Sequence, residues 1–123
     1  MKAATRKKID ARLTGLLEEL VESLVSYRQE YDELVRDRSP DLADAASRNY
    51  ELDHLTRRIE DNERRLQRTQ NAVHRLASGH YGVCSSCGDQ IDEARLIARP
   101  HSMLCIGCAT KRDRRGGHAV QAR

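Results

Sequence analysis

The apolar residues in the first third of the chain recur at alternating intervals of four and three. This spacing is the heptad repeat along which one helix packs against another. A second series with the same alternation begins at residue 52 and includes two polar members. The first series is Leu13, Leu17, Leu20, Leu24, Tyr27, Tyr31 and Leu34, and the second is Leu52, Leu55, Ile59, Asn62, Leu66, Thr69, Val73 and Leu76. The pattern predicts two long amphipathic helices.

A turn is predicted between the two helices at Ser39 and Pro40. Proline disfavours helix in the residue before it and suits the first turn of a new helix. Ser39 or Asp41 can cap that new helix. Gly79 is predicted to end the second helix, because glycine readily adopts the left-handed conformation that follows a helix.

The two apolar series match each other as the facing edges of an antiparallel hairpin. With the fold point at the predicted turn, Leu24 faces Leu55 and Tyr27 faces Leu52. A third amphipathic segment that could complete a bundle is missing from the sequence. The same register gives Val73 no apolar partner, so the end of the second helix is predicted to pack against the residues that follow it.

Four cysteines follow the second helix with the spacing C-x2-C-x17-C-x2-C. Paired CxxC units at this separation are typical of zinc sites, and four thiolates fill a tetrahedral shell without leaving a position for substrate. An iron–sulfur cluster uses the same ligands and stays open as an alternative, whereas a redox CxxC would leave the second pair unexplained. The sequence therefore predicts one structural Zn²⁺ held by Cys84, Cys87, Cys105 and Cys108.

Residues near the cysteines are assigned supporting roles. Gly88 follows the first pair and Gly107 lies within the second, at positions where the turn of a zinc knuckle needs conformational freedom. His80 and His101 flank the cluster, but four cysteines already complete the shell, so neither is predicted to bind the metal.

Composition indicates a chain that needs such a metal. Charged residues make up 33% of the sequence, and Phe and Trp are absent, so the apolar core is thin. Small domains of this kind are often stabilised by a metal. The charged residues of 17–37 are mainly acidic, and those of 95–123 are mainly basic.

The expected location and the expected lack of enzymatic activity both rest on motifs that are missing from the sequence. It shows neither a signal-peptide pattern nor an apolar run long enough to cross a membrane, so a cytoplasmic protein is expected. It shows no phosphate-binding glycine loop and no paired nucleophile and base, so we do not expect an enzyme.

The predicted fold is mainly α: an antiparallel two-helix coiled-coil hairpin with a small four-cysteine zinc finger and a C-terminal helix. We assign residues 1–78 to the hairpin, with its tip at 37–46. Residues 79–115 form the finger and the C-terminal helix, and 116–123 form a disordered tail.

Hairpin, acidic tip and finger together resemble the DksA/TraR family of bacterial RNA polymerase regulators. The segments "YGVCSSCGDQI", "RLIARP" and "LCIGCA" are similar to the family's zinc-finger pattern. Asp41, Asp44 and Ala46 fit its D-x-x-D-x-A tip motif. The resemblance implies a monomer that binds RNA polymerase, inserts its tip into the secondary channel and modulates initiation without sequence-specific DNA binding. The simpler alternative is that the two aspartates only place negative charge in a helix's first turn.

The resemblance also implies a link to the alarmone ppGpp of the stringent response. Arg68 and Arg99 match basic positions that the family uses for that ligand. Asp61 and Ala109 stand where the family has basic residues, and Arg65 replaces an aliphatic one. Whether ppGpp is required therefore stays open.

Two further functions are weighed. The basic segment "KRDRRGGHAVQAR" suits a zinc-finger nucleic-acid-binding or adaptor protein, although base-reading helices and stacking aromatics are not evident. A structural coiled-coil dimer is the other, but internal pairing already covers both apolar series.

Overall fold

The computed structural model describes residues 1–37 and 41–121, with side chains described up to residue 115. It contains four helices: α1 Ala3–Arg36, α2 Leu42–Ser78, α3 Glu93–Ala98 and α4 Ile106–Gln121. One isolated antiparallel bridge joins Val83 and Gln90. The mainly α fold is as predicted, whereas the predicted turn at Ser39 and Pro40 lies outside the described residues.

The chain divides into two compact units. The first, which we call the finger unit, comprises Met1–Thr14 and Thr69–Arg123, and the second, the tip unit, comprises Gly15–Arg68. The predicted boundary after residue 78 therefore does not coincide with the division into units. The finger unit also includes the start of α1 and the end of α2.

The heptad positions of the tip unit are shielded from solvent. Leu24 and Leu55 are 6% and 5% exposed, and the other members of both series in this unit are half-buried. Two polar contacts join the helices: Arg28 Nη2 lies 3.6 Å from Glu63 Oε1, and the Arg58 guanidinium lies 5.6 Å from the Tyr27 ring centroid. The unit is thus an antiparallel helix pair with the predicted buried faces.

In both contacts the α2 partner lies further along the chain than the residue that the predicted register places opposite. Tyr27, predicted to face Leu52, is contacted by Arg58. In an antiparallel pair the long side chains lean toward the start of their own helix, and so toward each other. This lean accounts for only part of the offset. The predicted register puts Arg28 opposite Glu51, whereas Arg28 pairs with Glu63, twelve residues or about 18 Å further along the helix. The predicted register is therefore wrong, and α1 residues pair with residues further along α2.

The core of the finger unit combines the start of α1 and the end of α2 with the cysteine segment. Val73 packs against this core, which confirms that the end of α2 packs on the residues that follow. The alternating series, which began at Leu13, did not identify Ile9, although it is 1% exposed. The buried members are Ile9, Leu13, Ala72, Leu76, Tyr81, Cys84, Ile91 and Leu96.

Both ends of α2 carry the caps expected from sequence. Asp41 Oδ1 accepts a hydrogen bond of 2.9 Å from the Ala43 amide, which is the side-chain cap of a helix start. At the other end Gly79 has φ +80°, and the His80 amide donates to the Arg75 carbonyl at 3.0 Å. This is the bond of a glycine-terminated helix, and it confirms the predicted end at Gly79.

The tail differs from the prediction over most of its length. We predict disorder for 116–123, whereas α4 continues to Gln121, and residues 122–123 lie outside the described residues. Glycine inside a helix costs about 1 kcal/mol relative to alanine, so Gly116 and Gly117 weaken the helix without ending it. No helix of the described residues is long and apolar enough to span a membrane.

Candidate metal centre and helical tip

The four cysteine sulfurs lie together. All four are within 4.8 Å of one another, and the Sγ atoms of Cys87 and Cys105 are 3.8 Å apart. A tetrahedral zinc site with Zn–S bonds of about 2.3 Å places its sulfurs about 3.8 Å apart. A disulfide needs about 2.05 Å, and all four cysteines are free. The cluster therefore fits one tetrahedrally bound metal ion.

Two different local structures present the sulfurs. Cys84 and Cys87 lie in a turn closed by bonds from the Gly88 amide to the Cys84 carbonyl and from the Cys84 amide to the Asp89 carbonyl, at 3.0 and 2.8 Å. Gly88 has φ +80°, as this turn requires. The second pair lies at the start of α4, where the Cys108 amide donates to Cys105 Sγ at 3.4 Å.

Gly107 corrects one of our expectations. It lies inside α4 and is not among the glycines with positive φ. A Cβ built at this position meets only the Cys105 sulfur, at 4.0 Å, which is ordinary contact. The second knuckle takes its geometry from the start of a helix, so it does not need glycine's conformational freedom here.

Side chains from three elements hold the irregular segment that leads into Cys105. The Tyr81 hydroxyl donates to the Pro100 carbonyl at 2.7 Å, Arg75 Nη2 donates to the Ser102 carbonyl at 3.4 Å, and Arg95 Nε donates to the Leu104 carbonyl at 3.1 Å. The Ser85 amide donates to the Met103 carbonyl at 2.9 Å. These bonds fix the approach of the second cysteine pair to the first.

Sequence reasoning did not find this set of donors. Tyr81 and Pro100 are nineteen residues apart, and Arg75 and Ser102 are twenty-seven apart. Such pairs have no local periodicity that could reveal them. The one available signal was chemical, because a tyrosine beside a zinc finger needs a partner for its hydroxyl when it is buried.

The thiols differ in pKa because backbone amides stabilise the thiolate form of Cys84. Hydrogen bonds from the backbone of Cys105 and then Cys87 lower the pKa of Cys84 to about 6. The pKa of Cys87 is raised to about 12: the Asp89 backbone lowers it, but the hydrogen bond with Cys84 and burial outweigh that effect. The bond with Cys105 raises the pKa of Cys108. Metal binding must therefore displace protons, and its affinity falls as pH falls.

The two neighbouring histidines lie outside the ligand group. The group of metal-binding side chains among the described residues at this site contains the four cysteines alone. His80 Nδ1 lies 3.1 Å from the Ser78 carbonyl, a contact within the turn after α2. His101 is half-buried.

The hydroxyl of Tyr81 supports a prediction about stability. Burial raises the pKa of Tyr81 to about 12, against a smaller opposite effect of the positive charge of Arg75. The fold therefore favours the protonated hydroxyl. That contribution is complete below the ordinary pKa of about 10 and is lost as pH rises through about 12.

Tyr81→Phe should lower the free energy of unfolding of the zinc-loaded protein by about 1–3 kcal/mol at neutral pH, because it leaves the buried Pro100 carbonyl without its donor. The substitution should also remove the decline in stability between pH 10 and 12. Denaturant titrations at several pH values measure both effects. Tyr50→Phe is the matched control, since Tyr50 is 70% exposed. Equal losses for both variants would contradict the prediction.

The tip carries its carboxylates on a helix start. Asp41, Asp44 and Ala46 are all exposed, and Asp44 lies in the first turn of α2. Asp41 uses one oxygen for the cap, so the simpler role suggested by sequence is present. Arg48 Nη1 lies 3.6 Å from Asp37 Oδ2 and joins α2 to the residue that follows α1.

The candidate alarmone residues are exposed and belong to different units. Arg68 is the last residue of the tip unit, and Arg99 belongs to the finger unit. Asp61 lies 3.8 Å from Arg64 and 3.4 Å from Arg65, the pairing expected from its helical spacing. Ala109 is 6% exposed, so a small residue fits its packed position in α4.

Comparison with known proteins gives three kinds of similarity. Residues 79–114 match the family model described as prokaryotic dksA/traR C4-type zinc finger. The chain is 40% identical over 72 residues to the RNA polymerase-binding transcription factor DksA of Haemophilus influenzae, covering 58% of this chain and 49% of that protein. Identity to the protein of the same name from Escherichia coli K12 is 38% over 72 residues, covering 58% and 47%. The matched region thus spans about half the length of these curated relatives.

A solved structure is similar over nearly the whole chain. The structure of transcription factor DksA2 from Pseudomonas aeruginosa superposes with a TM-score of 0.84 and 30% sequence identity. The match covers 96% of this chain and 90% of that one. Together with the four-sulfur geometry, the zinc-finger match identifies the cysteine cluster as a site for one structural Zn²⁺.

Proposed function

Because the chain belongs to the DksA/TraR family of zinc-finger proteins, we propose that it is a transcription regulator that binds RNA polymerase directly. The observation that carries the proposal is the whole-chain similarity to a protein described as a transcription factor, at 30% identity and 90% coverage. The proposed site of action is the cytoplasm, where a bacterial polymerase works, and the acting form is a monomer.

In the proposed mode of action, the tip unit is the part of the protein that contacts the polymerase. Its tip enters the secondary channel of the polymerase, and Asp41 and Asp44 contact basic groups or polar backbone there. Ala46, which is small and exposed, allows close approach. Support comes from the placement of both carboxylates on a capped helix start, which holds them on a rigid element. The protein itself carries out no chemical step in this scheme.

The finger unit has a structural role in the proposal. Its zinc ion joins the turn at Cys84 to the start of α4 at Cys105, and Cys84 is itself a core residue at 2% exposure. Four thiolates leave no open coordination position, so the metal supplies folding energy and not catalysis.

Binding to the polymerase is the direct test of the proposal. Immobilised core RNA polymerase should retain the purified, zinc-loaded protein. A photo-crosslinker introduced at Asp44 should then label the polymerase, whereas one at Asp53, an exposed residue further along α2, should label it less. Failure to bind core polymerase at low salt would exclude this function.

A basic surface on α4 favours a second candidate, nucleic-acid binding. Four exposed basic residues follow Thr110, and Arg112 lies 3.3 Å from Asp113. Binding to nucleic-acid phosphates weakens steeply with salt because counterions are released. A steep decline of DNA affinity with salt, together with absent polymerase binding, would favour the second candidate. The four residues are Lys111, Arg112, Arg114 and Arg115.

The proposed response to ppGpp uses Arg68 and Arg99, and Asp61 is expected to weaken it. Asp61 adds negative charge where a multiply charged anion would approach, and it pairs with Arg64 and Arg65. A like-charge contact at a partly desolvated interface costs on the order of 1 kcal/mol, which is a several-fold change in affinity.

Asp61→Arg should therefore strengthen ppGpp binding by the polymerase–regulator complex severalfold, and Asp61→Asn should do so less. Titration of ppGpp at fixed salt, with the three proteins compared, measures the effect. Glu60→Gln is the control, since it removes a charge from the neighbouring exposed position. If wild type binds as tightly as Asp61→Arg, Asp61 does not face the ligand.

A further inference from the structure

A further apolar series on α1 is left exposed by the helix pair. The helix, which is described along its whole length, has three exposed large apolar side chains: Val21, Val25 and Val35, at 48%, 52% and 52% exposure. Steps of three and four residues join them in one line with exposed charged residues, which is heptad spacing. We call this line the outer seam. Its members are Glu18, Val21, Val25, Arg28, Asp32 and Val35.

The outer seam lies beside the face by which α1 packs on α2. Each member comes one residue after a member of the buried series that continues from Leu17, and one residue turns a helix by about 100°. Every member of the seam is exposed. Single exposed apolar residues are common on protein surfaces. Three on one heptad line, on a face that the helix pair leaves exposed, are the pattern of a helix with a further helical partner.

We propose that the outer seam binds the outer seam of a second copy of the chain, antiparallel, about a two-fold axis at residue 23. In this register Val21 faces Val25 of the second copy and Glu18 faces Arg28, since both pairs have their midpoint at the axis. The axis repeats each pair, so a centre of valines is flanked on both sides by opposite charges. An apolar centre with a charged rim is the usual arrangement of a protein interface. The pairing does not depend on polymerase binding and goes beyond the proposed function.

The remaining members of the seam also fit this register. Asp32 faces Thr14 of the second copy and Val35 faces Ala11, so like charges do not meet along the seam. Both Thr14 and Ala11 are exposed, and both are small enough to admit a facing helix.

The charges of the seam favour the antiparallel arrangement over a parallel one. A parallel pair places each residue against itself, so Glu18, Arg28 and Asp32 would each meet a like charge. Arg28 remains available for the antiparallel pair although its Nη2 lies 3.6 Å from Glu63 Oε1 of the same chain. Both side chains are more than half exposed, and a guanidinium has further N–H donors for a second carboxylate.

One like-charge contact limits the strength of the dimer. Glu22 is exposed beside the seam and lies one residue from the axis, so it approaches Glu22 of the second copy. The apolar centre is also small. We expect a dissociation constant on the order of 100 µM, which leaves the monomer as the main form at low micromolar concentration.

Sedimentation equilibrium of the full zinc-loaded chain, between about 10 µM and about 1 mM, tests the pairing. Wild type should dimerise as its concentration rises, and the double variant Val21→Gln, Val25→Gln should weaken the dimer at least about tenfold. Gln favours helix at least as well as Val, and both positions are exposed, so the fold should be unaffected. Tyr50→Gln is the matched control, because it removes a 70% exposed side chain from α2 of the same unit.

Charge reversal tests the register. Glu18→Lys should weaken the dimer about tenfold, since two like-charge pairs replace two ion pairs, and Arg28→Glu should do the same. The two changes together should restore the dissociation constant to within about threefold of wild type, and Glu22→Gln should strengthen the dimer severalfold. In a parallel dimer Glu18→Lys would exchange one like-charge pair for another and change little. Circular dichroism checks helicity, because Arg28→Glu also meets Glu63.

Loss of the dimer with the valines, and its return in the double charge reversal, would support the proposal. A wild type that stays monomeric at about 1 mM would overturn it. A dimer that survives the loss of both valines, or that dissociates in Tyr50→Gln, uses another surface and overturns it as well. Unchanged affinity in Glu18→Lys would exclude the antiparallel register. Each of these results leaves polymerase binding, and so the proposed function, untouched.

Discussion

Removal of the zinc ion should unfold the finger unit while the helix pair of Gly15–Arg68 stays folded at moderate temperature. Structural zinc contributes about 10–16 kcal/mol of apparent binding free energy in zinc-finger peptides. This is as large as the whole stability of a typical domain, about 5–15 kcal/mol. The core of the finger unit includes Cys84 itself, so it should not outlast the loss of the metal.

Hydrogen exchange during treatment with a chelator measures this effect residue by residue. Protection should vanish first at Ile9, Leu13 and Leu76, which belong to the finger core, and later at Leu24 and Leu55. Restored zinc should restore protection, and Cys87→Ser should mimic chelation. Unchanged exchange at Ile9 after the metal has left would show that the core folds without it.

Replacing both tip carboxylates by amides should abolish regulation and leave polymerase affinity within a few-fold of wild type. Asn is as good a helix cap as Asp, so Asp41→Asn keeps the bond to the Ala43 amide. Loss of the charges near the helix start costs about 0.3–1 kcal/mol for each residue, which a long helix tolerates. A functional loss must then come from the missing charge.

In vitro transcription from a responsive ribosomal promoter, beside a binding measurement, tests the double variant. Asp53→Asn is the control, because it makes the same chemical change at an exposed position further along α2. Asp41→Ala separates the two roles, since it removes cap and charge together. Full regulation by the double amide variant would reduce the tip aspartates to their role in starting the helix.

The features of the fold that could be predicted are those that depend on the spacing or type of residues close together in the sequence. Alternating steps of three and four marked most of the residues that the structure buries along both long helices, with Ile9 and Ala72 as the exceptions. The cap at Asp41 and the end at Gly79 followed from preferences of single residue types. The cysteine spacing required all four sulfurs to meet, and they do.

What the sequence left open depends on contacts between distant residues. The alternating series starts at Leu13, so Ile9 gave no periodic signal, and its burial comes from elements beyond Thr69. Donors to the segment before Cys105 come from three elements and are invisible to spacing. The six-residue α3 is short enough to depend on burial of Leu96 and not on its own helix propensity.

The division of the chain into units has a consequence for its synthesis. Residues of the tip unit are contiguous, so they can pair as soon as the ribosome has released Arg68, and contacts close in sequence form fast. Ile9 and Leu13 are made first, yet their core needs Leu96 and the side chains around it. The Arg6 guanidinium bonds the Leu76 carbonyl across seventy residues. The nascent N-terminal segment must therefore wait with apolar side chains exposed, and zinc capture, which needs Cys108, comes among the last events of folding.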